Sequence, residues 1–321
     1  MGRRVLATIL LVLAIEVIIF VPVLVFTPVG AGVHAALFPT PTPTPAPVLT
    51  VRGIPPAVGA PIAYLLDGDT GNVLVNVKGQ QREPMASTTK IMTALITLEK
   101  ADLDQMVIIK QDAVDEVRKN QGSSAQLVVG DHIRLKDLLY GLMLPSGDDA
   151  AIAIADAVAG SPQNFVKMMN DYARQLHLTN THYINPDGLT YLTPQGKPDP
   201  NQYTTAADLA HLARYALANP LFAQIVQLQR YGLPATSQHH AYLWLTTDDL
   251  LSSYPGAIGI KTGFTGEAGY CLVFAATSGG HHLIGVVLQE KNADQRFTDA
   301  QALLNWGFAL PLLPPPTLTP Q

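Results

Sequence analysis

Three short runs carry residue types that together could perform acyl transfer: Ser87-Thr88-Thr89-Lys90, Ser146-Gly147-Asp148 and Lys261-Thr262-Gly263. A serine hydroxyl is a poor nucleophile near neutral pH and needs a base beside it. Residues three apart on a helix share a face, so the Lys90 amine can reach the Ser87 hydroxyl. An ammonium becomes a base only where burial and a second cation loosen its proton. Pro84-Met85-Ala86 and Ile91-Met92 offer the burial, and Lys261 offers the cation. A serine at the start of a helix also turns its own N–H toward a developing oxyanion. Each run alone has a bland reading: a capping serine with a solvated lysine, a turn before a helix, a strand end. Together they make a site.

Other chemistries are poorly served. His239-His240 and His281-His282 are adjacent pairs, which point to opposite sides of a strand and rarely chelate together. There is no H-E-x-x-H, and one cysteine cannot supply a thiolate zinc site, so no metal or other cofactor is expected. Cys271 sits in an apolar run and reads as a buried structural thiol. Asp67, Asp69 and Asn72 bracket a turn but offer too few oxygens for calcium. The formal charge of -5 and the lack of a basic run argue against nucleic acid as a partner.

The elements that must position these residues lie in the middle of the chain. Arg3 and Arg4 precede an apolar run over 5–27 that is long enough to span a membrane, which needs roughly 20 residues. Residues 1–4 are then cytoplasmic and the rest is exported. Val33-His34-Ala35 offers a signal-peptidase site, so a cleaved signal and a secreted product is the alternative to the favoured uncleaved anchor. Residues 28–56 form a Pro/Thr-rich linker around Pro39 to Pro47, an extended spacer. Residues 57–310 form the folded unit, and 311–321 a Pro-rich tail expected to be unstructured. Outside 57–310 the only charges are Arg3, Arg4, Glu16 and Arg52, so the folded unit is acidic.

Within that unit, 62–66 and 73–77 read as a hairpin. Helices are expected over 87–100, 135–144, 149–159, 162–176 and 205–218, the last closed by Asn219-Pro220. Strands return at 256–261, 270–277 and 282–289, followed by a helix over 294–308. A hairpin first and a meander last predict an α/β (α+β) fold, with one antiparallel sheet built from both ends of the unit around a helical insert.

The wider context of the three runs resembles the low-molecular-mass penicillin-binding proteins, the serine-type D-Ala-D-Ala carboxypeptidases. S-x-x-K, S-D-N and K-T-G motifs are also shared with class A β-lactamases. The likeness extends through Leu142 to Ala151, Asn185-Pro186-Asp187-Gly188-Leu189, Tyr203 to Ala210, Tyr254 to Thr265 and Gly269 to Leu272. It implies a β-lactamase/transpeptidase-like fold and a substrate, the peptidoglycan stem peptide ending in D-Ala-D-Ala. It further implies Ser87 as nucleophile, Lys90 as general base and Ser146 as proton relay to the leaving amine. Lys261, Thr262 and Gly263 would bind the terminal carboxylate, and the N–H groups of Ser87 and Phe264 would form the oxyanion hole. β-Lactams would acylate Ser87. No glutamate lies between Glu116 and Glu267, so the deacylating glutamate of a class A β-lactamase has no counterpart. The family often adds a β-rich second domain and a C-terminal anchor; neither is expected here, which favours attachment through residues 5–27.

One position departs from the pattern: Asp148 stands where the family usually has Asn. An amide donates to a substrate carbonyl, which a carboxylate cannot do unless protonated. Asp148 is expected to pair with Lys90 or Lys261. Pairing with Lys90 would strengthen that lysine's hold on its proton and weaken it as a base. A working carboxypeptidase is the favoured reading. A catalytically weak homologue that binds stems, and a D,D-endopeptidase using the same residues, are the alternatives.

Overall fold

The computed structural model describes Gly2 and residues 47–314. The apolar run over 5–27, the linker up to Ala46 and the tail after Pro314 lie outside the described residues. Among the described residues no helix is long and apolar enough to cross a membrane.

The chain opens with β1 (Val48–Leu49), then β2 (Ile62–Asp67) and β3 (Val73–Val77), the expected hairpin. Its turn is tied by Asp67, whose Oδ1 accepts from the N–H groups of Asp69 and Thr70. A 3-10 turn (Ala86–Thr89) leads into α1 (Lys90–Lys100), followed by β4 (Met106–Ile108), α2 (Gln111–Asn120) and β5 (His132–Arg134). The helices α3 (Leu135–Met143), α4 (Asp148–Ala159), α5 (Pro162–Gln175), α6 (Ala206–Leu217) and α7 (Pro220–Val226) come next. The hairpin β6 (Arg230–Leu233) and β7 (Tyr242–Leu245) and the short α8 (Leu250–Ser253) precede the meander β8 (Ala257–Thr265), β9 (Gly269–Ser278) and β10 (His281–Glu290). Last come α9 (Gln295–Phe308) and β11 (Leu312–Leu313).

The main sheet has the order β3-β2-β10-β9-β8, antiparallel throughout. Strand periodicity sends alternate residues to opposite faces, and both faces are covered. Cys271, Val273 and Ala275 of β9 join the core shared with α1, α3, α4 and α6. Leu272, Phe274 and Ala276 join a second core under α9, with Ala300, Leu303 and Leu304. This explains the unbroken apolar runs of β2 and β9: a strand buried on both faces has no polar side to alternate with. Gly285 of β10 is required by this packing, because a Cβ there would lie 2.2 Å from the Phe274 ring.

The folded unit reaches beyond the expected 57–310 at both ends. β1 and β11 pair antiparallel, Val48 with Leu313 and Leu49 with Leu312, so the first residues of the proline tail belong to the fold. Asn219-Pro220 starts α7 as well as ending α6: the Asn219 side chain accepts from the N–H groups of Leu221 and Phe222, and Pro220 takes the first helical position. Helix α2 has no counterpart in the expected elements: only Ala113 is fully buried, and its short apolar face of Ala113, Val114 and Val117 is set in a largely charged and polar run.

Candidate active site

Ser87 sits in the 3-10 turn, not in the α-helix, and is half-buried. Thr88 and Thr89 donate their hydroxyls back to the carbonyls of Met85 (2.6 Å) and Ala86 (2.8 Å), which fixes the turn. Ala86 takes φ 47, a strained value for a residue with a Cβ, and so presents Ser87 at a sharp corner. Gly188, at φ 94, lies directly over that corner; a Cβ there would come within 1.9 Å of the Ala86 carbonyl oxygen.

Lys90 opens α1 and is fully buried. Its Nζ lies 2.9 Å from Ser87 Oγ, 2.5 Å from Asp148 Oδ1 and 2.7 Å from the Asp187 carbonyl oxygen. Three acceptors therefore match the three N–H bonds of an ammonium. Of the two partners considered for Asp148, the structure selects Lys90.

Asp148 is the first residue of α4, where the unpaired N–H groups of the helix favour a negative charge. Its own N–H donates to Ser123 O at 2.9 Å. Oδ2 is buried without a partner and lies against Gly122, where a Cβ would come within 2.1 Å of it. Burial drives the Asp148 carboxyl above its ordinary range, although Lys90 pulls the other way. Asp187 supplies its carbonyl to Lys90 while its carboxyl faces the same pocket. Its Oδ1 accepts from Leu189 N–H, and its Oδ2 is buried and unpartnered. Burial first, and the Asp148 charge second, push it up to about 8.

Ser146 is buried, takes φ 65, and its Oγ has no partner in the folded chain. A non-glycine residue in this region is strained, which commonly marks a functional position. Lys261, on β8, is fully buried and donates to Thr262 O at 3.0 Å. Burial, then the nearby Lys90 charge, drives it well below its ordinary range. The Thr262 hydroxyl bonds that of Thr247 at 2.6 Å. Gly263 brings β8 against the serine turn, since a Cβ there would lie 3.2 Å from Ser87 N. Phe264 is 54% exposed, its ring stacked on Tyr270 at 4.3 Å.

Several positioning residues escaped the sequence reading. Asp149 collects Ser124 Oγ and Ala125 N at 2.8 Å and Leu127 N at 3.2 Å, pinning the segment that holds Asp148 N–H. Trp244 donates to Ala125 O at 2.8 Å. Asn185 Oδ1 accepts from Gly188 N–H (2.8 Å) and Gln202 (3.1 Å), which shapes the loop bearing Asp187. Arg296 reaches Gly263 O at 3.4 Å. The doubled acid Asp148-Asp149 before an apolar helix was the one readable signal among these. Apart from the Asn185 to Gly188 bond within one loop, the other contacts join segments far apart in sequence.

The histidine pairs lie outside this cluster. His282 bonds Asp69 at 2.8 Å and His240 bonds Asp131 at 2.9 Å. Cys271 is buried, and burial pushes its thiol up to about 12, so it is no nucleophile. A cavity of about 870 Å³ is lined by Asp69, His177, His211, Arg214 and His282, among others, and by none of the motif residues. The three motifs meet elsewhere, where Ser87 lies against Lys90.

The model of the D-alanyl-D-alanine carboxypeptidase family matches residues 50–292. A D-alanyl-D-alanine carboxypeptidase of Streptomyces sp. (strain K15) is 39% identical over 267 residues, 79% of this chain and 89% of that protein. One of Bacillus subtilis (strain 168) is 33% identical over 251 residues; the match takes in 78% of this chain but 62% of that relative's length. The crystal structure of the Streptomyces K15 DD-transpeptidase superposes with a TM-score of 0.75 at 39% identity, covering 80% of this chain and 100% of that one.

Proposed function

The chain belongs to the D-alanyl-D-alanine carboxypeptidase family, and from that premise we propose that it removes the terminal D-alanine of peptidoglycan stem peptides through an acyl-enzyme on Ser87. The observation that carries the residue roles is the Ser87–Lys90 contact of 2.9 Å, made by a lysine with no exposure to solvent. Lys90 takes the Ser87 proton as Oγ attacks the carbonyl between the two D-alanines. The oxyanion forms at the N–H groups of Ser87 and Phe264. Ser146 passes a proton to the leaving amine, so D-alanine departs, and water then releases the shortened stem. Lys261, Thr262 and Gly263 receive the terminal carboxylate; substrate arrival there favours the charged form of a lysine whose hold on its proton burial weakens. β-Lactams acylate Ser87 by the same attack, with the ring nitrogen as leaving group. The apolar run over 5–27 supports an exported enzyme held at the cell membrane by its N-terminal segment. A mature N-terminus near Ala36 would replace that attachment with secretion.

Purified protein is expected to take up a fluorescent penicillin covalently and to release D-alanine from a peptide ending in D-Ala-D-Ala, while Ser87→Ala does neither. An adduct that survives Ser87→Ala, or no adduct in either protein, would sink the assignment.

A further inference from the structure

The buried partner of Lys90 changes how the base must work. Every N–H of the Lys90 ammonium is committed, to Ser87 Oγ, Asp148 Oδ1 and Asp187 O. In that state Ser87 is a hydrogen-bond acceptor and the nitrogen has no lone pair to offer. An ammonium with a buried carboxylate 2.5 Å away would ordinarily be a poor base. The same contact supplies a remedy, because the proton that must leave Lys90 already points at an oxygen. Both groups are shut off from water, Lys90 at 0% and Asp148 at 1% exposure. In such surroundings a neutral amine and carboxylic acid compete with the ion pair, since neither neutral form carries the desolvation cost of a charge.

We infer that Asp148 is a second proton carrier in catalysis: it accepts a proton from Lys90, and the amine so formed is the base that activates Ser87. This deepens the proposed acyl-transfer reading and rests on it. The Nζ–H bond to Asp148 breaks and an Oδ1–H bond forms. The neutral amine rotates about Cε–Nζ so that its lone pair faces Ser87 Oγ. It takes the hydroxyl proton as Oγ bonds the carbonyl carbon and the carbonyl electron pair moves onto oxygen. When the tetrahedral species collapses, that proton passes through Ser146 to the leaving nitrogen. Asp148 then returns its proton to Lys90, restoring the ion pair. No proton is exchanged with solvent before acylation.

The surroundings suit a carboxyl that must become neutral. Asp148 Oδ2 has no donor to hold it charged. Asp149 on the same helix opposes its negative charge, and Asp148 in turn raises Asp187, with Glu116 of α2 adding to the effect there. On the β8 side, the Lys261 charge acts against that of Lys90, with Asp248 and Arg296 behind it. Tyr191 borders the same acids, near Asp187 and Glu116.

The pH dependence of Ser87 acylation tests the relay, with the second-order rate constant for a fluorescent penicillin measured between pH 6 and pH 9. In wild type the pair keeps one proton across this range, so the rate is expected to stay flat within about twofold. Asp148→Asn keeps an acceptor for Lys90 but cannot take its proton, so its Lys90 must lose the proton to solvent. Its rate should climb with pH as that proton is lost, and the ratio of wild type to variant should fall as pH rises. Asp148 itself helps to raise Asp187 and Lys261, so both rates are also measured in an Asp187→Asn background; the fall of the ratio must persist there, and a fall that vanishes belongs to Asp187 and overturns the relay. A ratio that is constant or rises with pH would overturn the relay and leave Asp148 as a counter-ion. If Asp148→Asn does not fold, the wild-type profile decides alone, a climb with pH overturning the proposal. Loss of Ser87-dependent labelling at every pH would remove the acyl-transfer assignment itself, and the relay with it. That outcome is distinct from an altered pH profile.

Discussion

At the scale of single residues, the site is a pocket of buried charge with few donors to spare. Lys90 has three acceptors, while one oxygen each of Asp148 and Asp187 has no donor among the described residues. A fully buried carboxyl that titrates near 8 leaves a mark on stability. The unfolded chain releases the Asp187 proton near the ordinary carboxylate value, whereas the native protein keeps it up to about 8. Native protein therefore binds more protons between these limits, and its stability must fall as pH rises across that window. Asp187→Asn keeps an oxygen to accept from Leu189 N–H and removes the titration. Thermal melts at pH 5, 7 and 9 should show a shallower decline in the variant than in wild type; equal slopes would refute the assignment. The variant should retain some decline, because burial also raises Asp248 to about 6 and Glu290 to about 7.

At the scale of elements, the chemistry depends on four segments meeting: the serine turn before α1, the start of α4, the loop over 185–189 and strand β8. The three motifs were legible because a fixed spacing of reactive types survives any packing, and Lys90 reaches Ser87 within a single turn. The Asn185–Leu189 loop was legible only as a likeness, since its contribution to the base is the backbone carbonyl of Asp187. Backbone atoms carry no sequence signature. The choice of Lys90 over Lys261 as the partner of Asp148 was equally invisible. It depends on α4 and α1 packing together, and on Gly122 leaving room for the carboxylate. Gly122→Ala would put a Cβ 2.1 Å from Asp148 Oδ2 in the present geometry, so the carboxyl must turn. The expected result is a loss in acylation rate on the order of 10²-fold, the usual consequence of a displaced catalytic group, with the protein still folded by circular dichroism. A variant that acylates at the wild-type rate would show that Asp148 need not hold this position.

At the scale of the whole molecule, both ends of the folded unit are joined by strand pairing, β2 to β10 in the main sheet and β1 to β11 in a separate two-stranded one. Residues 48–313 hold the two cores and every motif, so this segment alone is expected to fold and to acylate at the rate of the full chain. Labelling of the isolated segment with a fluorescent penicillin checks this; a soluble, folded segment that fails to label would place an essential part of the site in residues 1–47 or 314–321. Stopping at Leu310 instead removes β11 and the bond from Thr50 N–H to Pro311 O. The sequence by itself offered a serine with a lysine in reach, Ser87 and Lys90, as candidate nucleophile and base, and an antiparallel sheet around a helical insert. These follow from residue type, short spacing and hydrophobic period, which are properties of local chain, while the reaction type came from the likeness to a family. Only the tertiary structure decided that Asp148 bonds Lys90, that Asp187 shares their pocket, and that the proline tail begins as a strand. Those facts depend on which segments share a dry space, where an unpaired charge is costly enough to select its partner.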